Sequence, residues 1–252
     1  LDPSHLWRRS AVHIKHPFRL PRPQFGAGMA ALCSGQIMRA RKVITRSGRK
    51  IRGKFPSIKL GKQVHWESPL ERDAIVMFEV HPLVLAYQEQ PIEETYYDSK
   101  GLPHKCYPDF RLRGLGGQEL LVEVKRNADL RRPSVRGKLE HIALHFEQKG
   151  LPYRVITETD IHRQPLRANV ARLWDALRCT KISGEARAIV AGLRADRLYR
   201  SSELAAQLGS EAVLLALIGS GVLRTDLEAV WTSESMVWHP KNTEAGDGSF
   251  SI

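Results

Sequence analysis

Glu119–Arg126 reads Glu-Leu-Leu-Val-Glu-Val-Lys-Arg, and this stretch restricts the possible folds more than any other in the chain. Its apolar centre predicts a β-strand. Gly114, Gly116 and Gly117 just before it predict a turn, and Cys106–Arg113 before that predicts a second strand. Side chains alternate across a strand, so Glu123 and Lys125 project from one face while Val122 and Val124 enter a core. Asp109 stands fourteen residues before Glu123, and the glycine-rich turn can bring the two carboxylates side by side.

The neighbouring segments supply the layers that such a sheet requires. Ser68-Pro69-Leu70-Glu71 has the grammar of a helix start, with Ser68 as cap, Pro69 in the first turn and Glu71 three residues after the cap. Leu70, Ala74, Met77 and Phe78 then recur at helical spacing until His81-Pro82. Strands are predicted at Val84–Gln88 and Glu93–Tyr97, as a pair interrupted at Pro91, and at Tyr153–Thr157. An amphipathic helix is predicted over Pro133–Lys149, with Leu139, Ile142, Ala143 and Phe146 inward and Gly150 as its stop. Ordered structure is expected from about Val64. Beyond Pro165 the texture turns helical (166–177, 185–193, 201–208 and 211–220), with strands at 222–224 and 230–237. Helix, turn, helix and hairpin outline a small winged-helix domain.

Charge divides the chain unevenly. Residues 1–62 carry 15 Lys or Arg against the single acid Asp2, a net +14, while the remaining 190 residues sum to −2. Ten cations and no acid fall between Arg39 and Lys62: Arg39, Arg41, Lys42, Arg46, Arg49, Lys50, Arg52, Lys54, Lys59 and Lys62. Such a run repels itself and suits a polyanion, so these residues are expected on nucleic-acid phosphates; a solvated arm or localisation signal is the alternative. Three scattered cysteines give no disulfide framework or zinc pattern, and no apolar run reaches the length of a membrane span. The expected organisation is a leader over 1–38, a basic arm over 39–63, a catalytic α/β sandwich over 64–163, a helical domain over 164–240 and a disordered tail over 241–252.

Asp109, Glu123 and Lys125 are the candidate chemistry. Two adjacent carboxylates repel unless a cation lies between them, and all-oxygen donors suit Mg²⁺, with Mn²⁺ as a substitute. A neighbouring ammonium can orient water and stabilise the negative charge of a phosphoryl transition state. An exposed strand face with a Glu–Lys ladder is the alternative. Glu71 is either a helix cap or a third carboxylate aimed at the same place, with Glu67 competing for that role. Gln88 and Gln90, in Tyr87-Gln88-Glu89-Gln90-Pro91, are candidates for the cleft, the alternative being a plain edge strand. Arg126, Arg131 and Arg132 are candidate phosphate contacts. His141 and His145, one helical turn apart, lack a third ligand and are expected on the helix surface. The helix over Glu211–Ile218 has no Lys or Arg, so core packing or protein docking suits it better than base readout.

Several phrases in order carry a family resemblance: Arg41-Lys42-Val43, Gly53-Lys54-Phe55-Pro56-Ser57, Trp66-Glu67-Ser68-Pro69-Leu70-Glu71-Arg72-Asp73, Tyr87-Gln88-Glu89-Gln90-Pro91 and Tyr107-Pro108-Asp109-Phe110. Together with Glu123-Val124-Lys125 they resemble the PD-(D/E)xK nuclease fold and, more closely, TnsA, the endonuclease subunit of Tn-seven-type transposases. The resemblance implies a restriction-endonuclease-like α/β sandwich in which Glu71, Asp109 and Glu123 hold Mg²⁺ and Lys125 is the catalytic lysine. It implies cleavage of the 5′ transposon ends on double-stranded DNA, alongside a TnsB-like transposase. It also implies a TnsC-like AAA+ ATPase bound through the C-terminal region, and a place on the nucleoid in the bacterial cytoplasm. A stand-alone restriction- or resolvase-type nuclease and a catalytically silent DNA-binding scaffold are the rival expectations.

Overall fold

The computed structural model describes residues 51–241. The expected leader, the arm up to Lys50 and the tail from residue 242 lie outside the described residues. Order begins earlier than Val64. Strands β1 (Gly53–Ser57) and β2 (Lys62–Trp66) form an antiparallel hairpin with Phe55 opposite Val64, and both side chains are buried. Gly53 is needed there because a Cβ would stand 2.3 Å from the Trp66 ring. The second half of the basic run is therefore part of the fold.

Lys59 is drawn into the fold rather than left for a phosphate. Its Nζ donates to the Val84 carbonyl (2.7 Å), where the strand after the next helix begins, and to the carbonyls of Phe78 (2.8 Å) and His81 (3.1 Å) at the C-terminal end of that helix. The last two carbonyls lack intrahelical donors and sit at the negative pole of the helix dipole. Buried Glu79 provides the counter-charge and accepts from Ser57 Oγ (2.8 Å), Lys59 N–H (2.6 Å) and Tyr87 Oη (2.5 Å). Lys59, expected on DNA, is thus a structural cation that ties the hairpin to the helix. Burial pushes its pKa down to about 8, against the raising effect of Glu79.

Helix α1 (Pro69–Val80) starts as its sequence predicts: Ser68 Oγ accepts the Glu71 N–H, and Leu70, Ala74, Ile75, Met77, Phe78 and Val80 are buried. It packs on a four-stranded sheet made of β3 (Val84–Glu89), β6 (Phe110–Gly114), β7 (Glu119–Val124) and β8 (Tyr153–Ile156), in the order β3-β6-β7-β8. The first three strands are antiparallel and β8 runs parallel to β7. Two expectations are corrected here. The strand at Val84 pairs with β6 rather than with the one after Pro91. The strand expected over Cys106–Arg113 starts only at Phe110: Cys106 is the last residue of a separate strand, β5 (Pro103–Cys106), which pairs with β4 (Glu94–Tyr97) in its own hairpin. Pro108 has no N–H to give to a ladder, so pairing breaks at Tyr107-Pro108-Asp109 and resumes at Phe110.

Short helix α2 (Asn127–Leu130) leads into α3 (Pro133–Gln148), whose Leu139, Ile142 and Phe146 are buried while Ala143 is only half-buried. Ile142 and Phe146 join Leu121, Tyr96 and Cys106 in a second cluster, so the sheet is covered on both faces. His141 and His145, expected on the helix surface, are both half-buried: His145 meets Glu94 (3.2 Å) and His141 Nδ1 meets the Gly137 carbonyl (2.6 Å).

After α4 (Glu158–Ile161) the chain forms α5 (Leu166–Cys179), α6 (Gly184–Ala191), β9 (Leu198–Arg200), α7 (Ser201–Gln207), α8 (Glu211–Gly219), β10 (Arg224–Thr225) and β11 (Met236–Trp238). The last strands form an antiparallel sheet ordered β10-β11-β9. Only the end of the segment 230–237 is strand, and β9 was not anticipated. Helix α8 buries Leu214, Ala216, Leu217 and Ile218, which accounts for its lack of cations. The apolar core does not stop at residue 164: a single cluster runs from Phe55 through Phe78 and Leu173 to Val237. Helix α5 lies on α1, and the rings of Phe55 and Trp174 stand 4.8 Å apart. Among the described residues no single helix is long and apolar enough to cross a membrane.

Candidate active site

The break at Pro108 is what places Asp109. Released from the β5 ladder, Asp109 reaches across the end of β7, where its Oδ2 accepts the Val124 N–H at 2.7 Å. Its carbonyl accepts the Gln90 N–H at 2.8 Å, which ties it to the end of β3. Glu123, one residue from that amide, projects away from α1. The Lys125 Nζ lies 2.6 Å from Glu123 Oε1 and 3.7 Å from Asp109 Oδ2. Asp109 and Glu123 therefore share one side of the sheet and one ammonium.

The electrostatics follow from crowding negative charge into a poorly hydrated place. Burial, and then the Asp109 charge, push Glu123 up to about 7, with Lys125 pulling the other way. Burial likewise raises Asp109, again opposed by Lys125. Burial alone would lower the Lys125 pKa, but the Asp109 and Glu123 charges outweigh it, so the ammonium stays charged. Lys125 is the counter-ion that lets two half-buried carboxylates coexist.

Glu71 makes the helix cap that the sequence suggested, and its charge also reaches the other carboxylates. Its carboxylate accepts the Glu67 N–H (2.7 Å) and the Ser68 hydroxyl (3.0 Å), which is helix-capping work. The same carboxyl is pushed up to about 7, by burial first and by the facing Asp109 charge second. Glu71, Asp109, Glu123 and Lys125 thus form one electrostatic group. They do not form a ready-made ligand shell: among the described residues no three His, Cys, Asp or Glu side chains converge as a metal-binding set. The cap draws Glu71 back and Lys125 stands between the other two.

The glutamines separate. Gln90 is buried, and its Nε2 donates to Glu67 Oε1 at 2.8 Å, beside the carboxylates. Gln88 lies opposite Arg111 on the sheet, two residues along the strand from Gln90. Tyr153 was missed. It stands opposite Leu121 on β8, stacked on Phe146 at 5.2 Å, and its pKa is raised by burial and then by Glu123 and Asp109. Its only sequence signal is membership of a strand running parallel beside Glu123. Of the expected phosphate contacts, Lys54, Lys62 and Arg126 are exposed and Arg52 is half-buried, while Arg41, Lys42, Arg46, Arg49 and Lys50 lie outside the described residues. Arg126, Arg131, Arg132 and Lys138 form an exposed basic rim just past Lys125, where Arg132 also pairs with Asp129.

Residues 81–158 match the family described as the TnsA-like endonuclease N terminal domain. Over this stretch the chain is TnsA-like. The match takes in Asp109, Glu123, Lys125, Gln88 and Gln90, and it begins just after α1, which carries Glu71. No curated protein matches the chain. The matched family is described as an endonuclease domain, and Asp109, Glu123 and Lys125, which meet around one ammonium, lie within the matched stretch.

Proposed function

We propose that this chain is a divalent-metal-dependent DNA endonuclease that cuts the 5′ ends of a transposon on the strand that is not transferred. It would act beside a TnsB-like transposase and under a TnsC-like AAA+ ATPase. The single observation that carries the reading is the Asp109–Lys125–Glu123 contact in a TnsA-like domain. An ornamental Glu–Lys ladder would sit in water; this group is desolvated enough to raise both carboxyl pKa values.

The donor set fits a hard cation. Asp109, Glu123 and Glu71 offer oxygen only, and crowding three acids beside one lysine raises their pKa values, a penalty that a divalent cation among them would relieve. These three residues would hold Mg²⁺, or Mn²⁺ in its place. Such an ion, when bound, supplies Lewis-acid stabilisation of the phosphodiester and a nucleophilic water at neutral pH. The chain's own residues do the rest. Asp109 is fixed by the Val124 amide, so its free oxygen has one direction. Lys125, turned from Glu123 to the scissile phosphate, stabilises the charge that grows there. Arg126, Arg131, Arg132 and Lys138 hold the flanking backbone, as do the exposed cations of the β1–β2 hairpin, Lys54 and Lys62.

The C-terminal elements suit a partner-docking winged helix rather than a groove reader, since α8 is spent on the core. The decisive experiment uses the full chain with its transposase partner on end-containing DNA in Mg²⁺. Lys125→Ala should lower 5′ cleavage about 10³-fold, about 4 kcal/mol of transition-state stabilisation, with DNA affinity retained. Undiminished cleavage would leave only the scaffold reading. Vigorous cutting of generic DNA by the chain alone would favour a restriction-type enzyme.

A further inference from the structure

Gln90 is the one non-glycine residue with a left-handed backbone among the described residues, at φ 43°. An L side chain is strained in that region, and glycine would occupy it freely. A residue that stays there against this penalty must gain something through its side chain. Gln90 is only 9% exposed, and its amide nitrogen donates to Glu67 Oε1 at 2.8 Å. A carboxylate only accepts, so this contact fixes which way the amide points. Nε2 faces Glu67 and Oε1 faces away, buried and without a protein partner. An orphaned buried acceptor adds a desolvation penalty to that strain. Two penalties thus meet in one side chain, at the residue whose N–H also anchors the Asp109 carbonyl. Glu67, the residue it grips, is close enough for its charge to act on both Asp109 and Glu71.

We propose that Gln90 is a positioning residue that holds Glu67 as a fourth carboxylate of the cleavage site, and that its Oε1 accepts a hydrogen bond from a water ordered there. This rests on the nuclease reading above and assigns it Gln90, which the sequence left open between cleft and edge strand, and Glu67, which the sequence offered as a competitor of Glu71. The arrangement explains why glutamine rather than glycine stands before Pro91: the side chain must be long enough to reach Glu67, with a donor at one end and an acceptor at the other.

The test is Gln90→Gly in the full chain, read in three ways. Thermal unfolding without divalent ions should show a melting temperature equal to or above that of the wild type, because strain and orphaned acceptor both disappear. Calorimetric titration with Mn²⁺ should show about a tenfold loss of affinity. Glu67→Gln should show the same loss, and the double variant no more than either alone. With end-containing DNA, kcat should fall while KM for DNA is unchanged. Gln90→Asn, which tolerates the left-handed backbone but is one methylene too short for Glu67, should repeat the Mn²⁺ loss and stands in if the glycine variant fails to fold. A lowered melting temperature in both variants with unchanged Mn²⁺ affinity would overturn the proposal and make Gln90 structural, as would strictly additive Mn²⁺ losses. Wild-type protein that binds Mn²⁺, with variants that bind it equally well, overturns this inference alone; wild-type protein that binds none overturns the nuclease reading as well.

Discussion

Lys59→Met separates a nucleic-acid contact from a structural cation more sharply than any other change in the basic run. In the structure the ammonium satisfies the carbonyls of Phe78, His81 and Val84 at 2.7–3.1 Å and faces buried Glu79. Methionine fills the same volume and gives no donor. Removing one partner of a buried charge pair typically costs about 3–5 kcal/mol. The lower end applies here, because Glu79 keeps three donors, from Ser57, Lys59 N–H and Tyr87. The penalty for burying the ammonium also disappears with it. A loss of about 3 kcal/mol corresponds to a fall in melting temperature of roughly 6–12 °C for a chain of this size. Thermal unfolding followed by far-ultraviolet circular dichroism measures that, and a salt titration of DNA affinity provides the second axis. Lys54→Met and Lys62→Met, both exposed, should leave the melting temperature in place and each reduce the salt slope by about one. Lys59→Met should leave the slope alone. An unchanged melting temperature with a reduced slope at Lys59 would refute the structural assignment.

Two further outcomes follow from the same geometry. His81 caps α1, its Nδ1 accepting the Leu83 N–H at 3.2 Å, and burial followed by the Lys59 charge pushes its pKa down to about 4. Because the folded value lies below the unfolded one near 6.5, the unfolded chain binds the extra proton first. Stability is therefore full above pH 6.5 and declines as pH falls toward 4, by about 3 kcal/mol in all; urea unfolding of the wild type and of His81→Asn should differ in slope over that window, and parallel curves would count against the assignment. Phe55→Ala should cost about 3–5 kcal/mol, and a double-mutant cycle with Trp174→Ala should show coupling of 0.5 kcal/mol or more, since the two rings are in contact. Independence in that cycle would mean that the hairpin and α5 do not share a core.

What could be read from the sequence was whatever depends on local periodicity. The cap at Ser68, the face carrying Glu123 and Lys125, and the inward row Leu139, Ile142 and Phe146 all follow from residues within a turn or a strand of one another. What could not be read depends on pairing between distant segments. Nothing near Val84 says that its partner is Gly114 rather than the strand after Pro91. Nothing in a run of cations says that Lys59 will find Glu79 twenty residues later. The three-residue strand β9 is too short to alternate visibly. The site was legible in composition but not in its resting contacts: that Lys125 bridges both carboxylates, and that Glu71 is held back by its own helix cap, are matters of side-chain geometry.

The stacking of α5 on α1 has a consequence for how such a chain can be rearranged. The helix bearing Glu71 leans on Leu166, Val170 and Leu173 through the same apolar mass that reaches Trp174 and Phe55. The C-terminal elements are therefore no interchangeable cassette. A graft that swaps them onto another domain must carry a matching surface for α1, the helix that also bears Glu71.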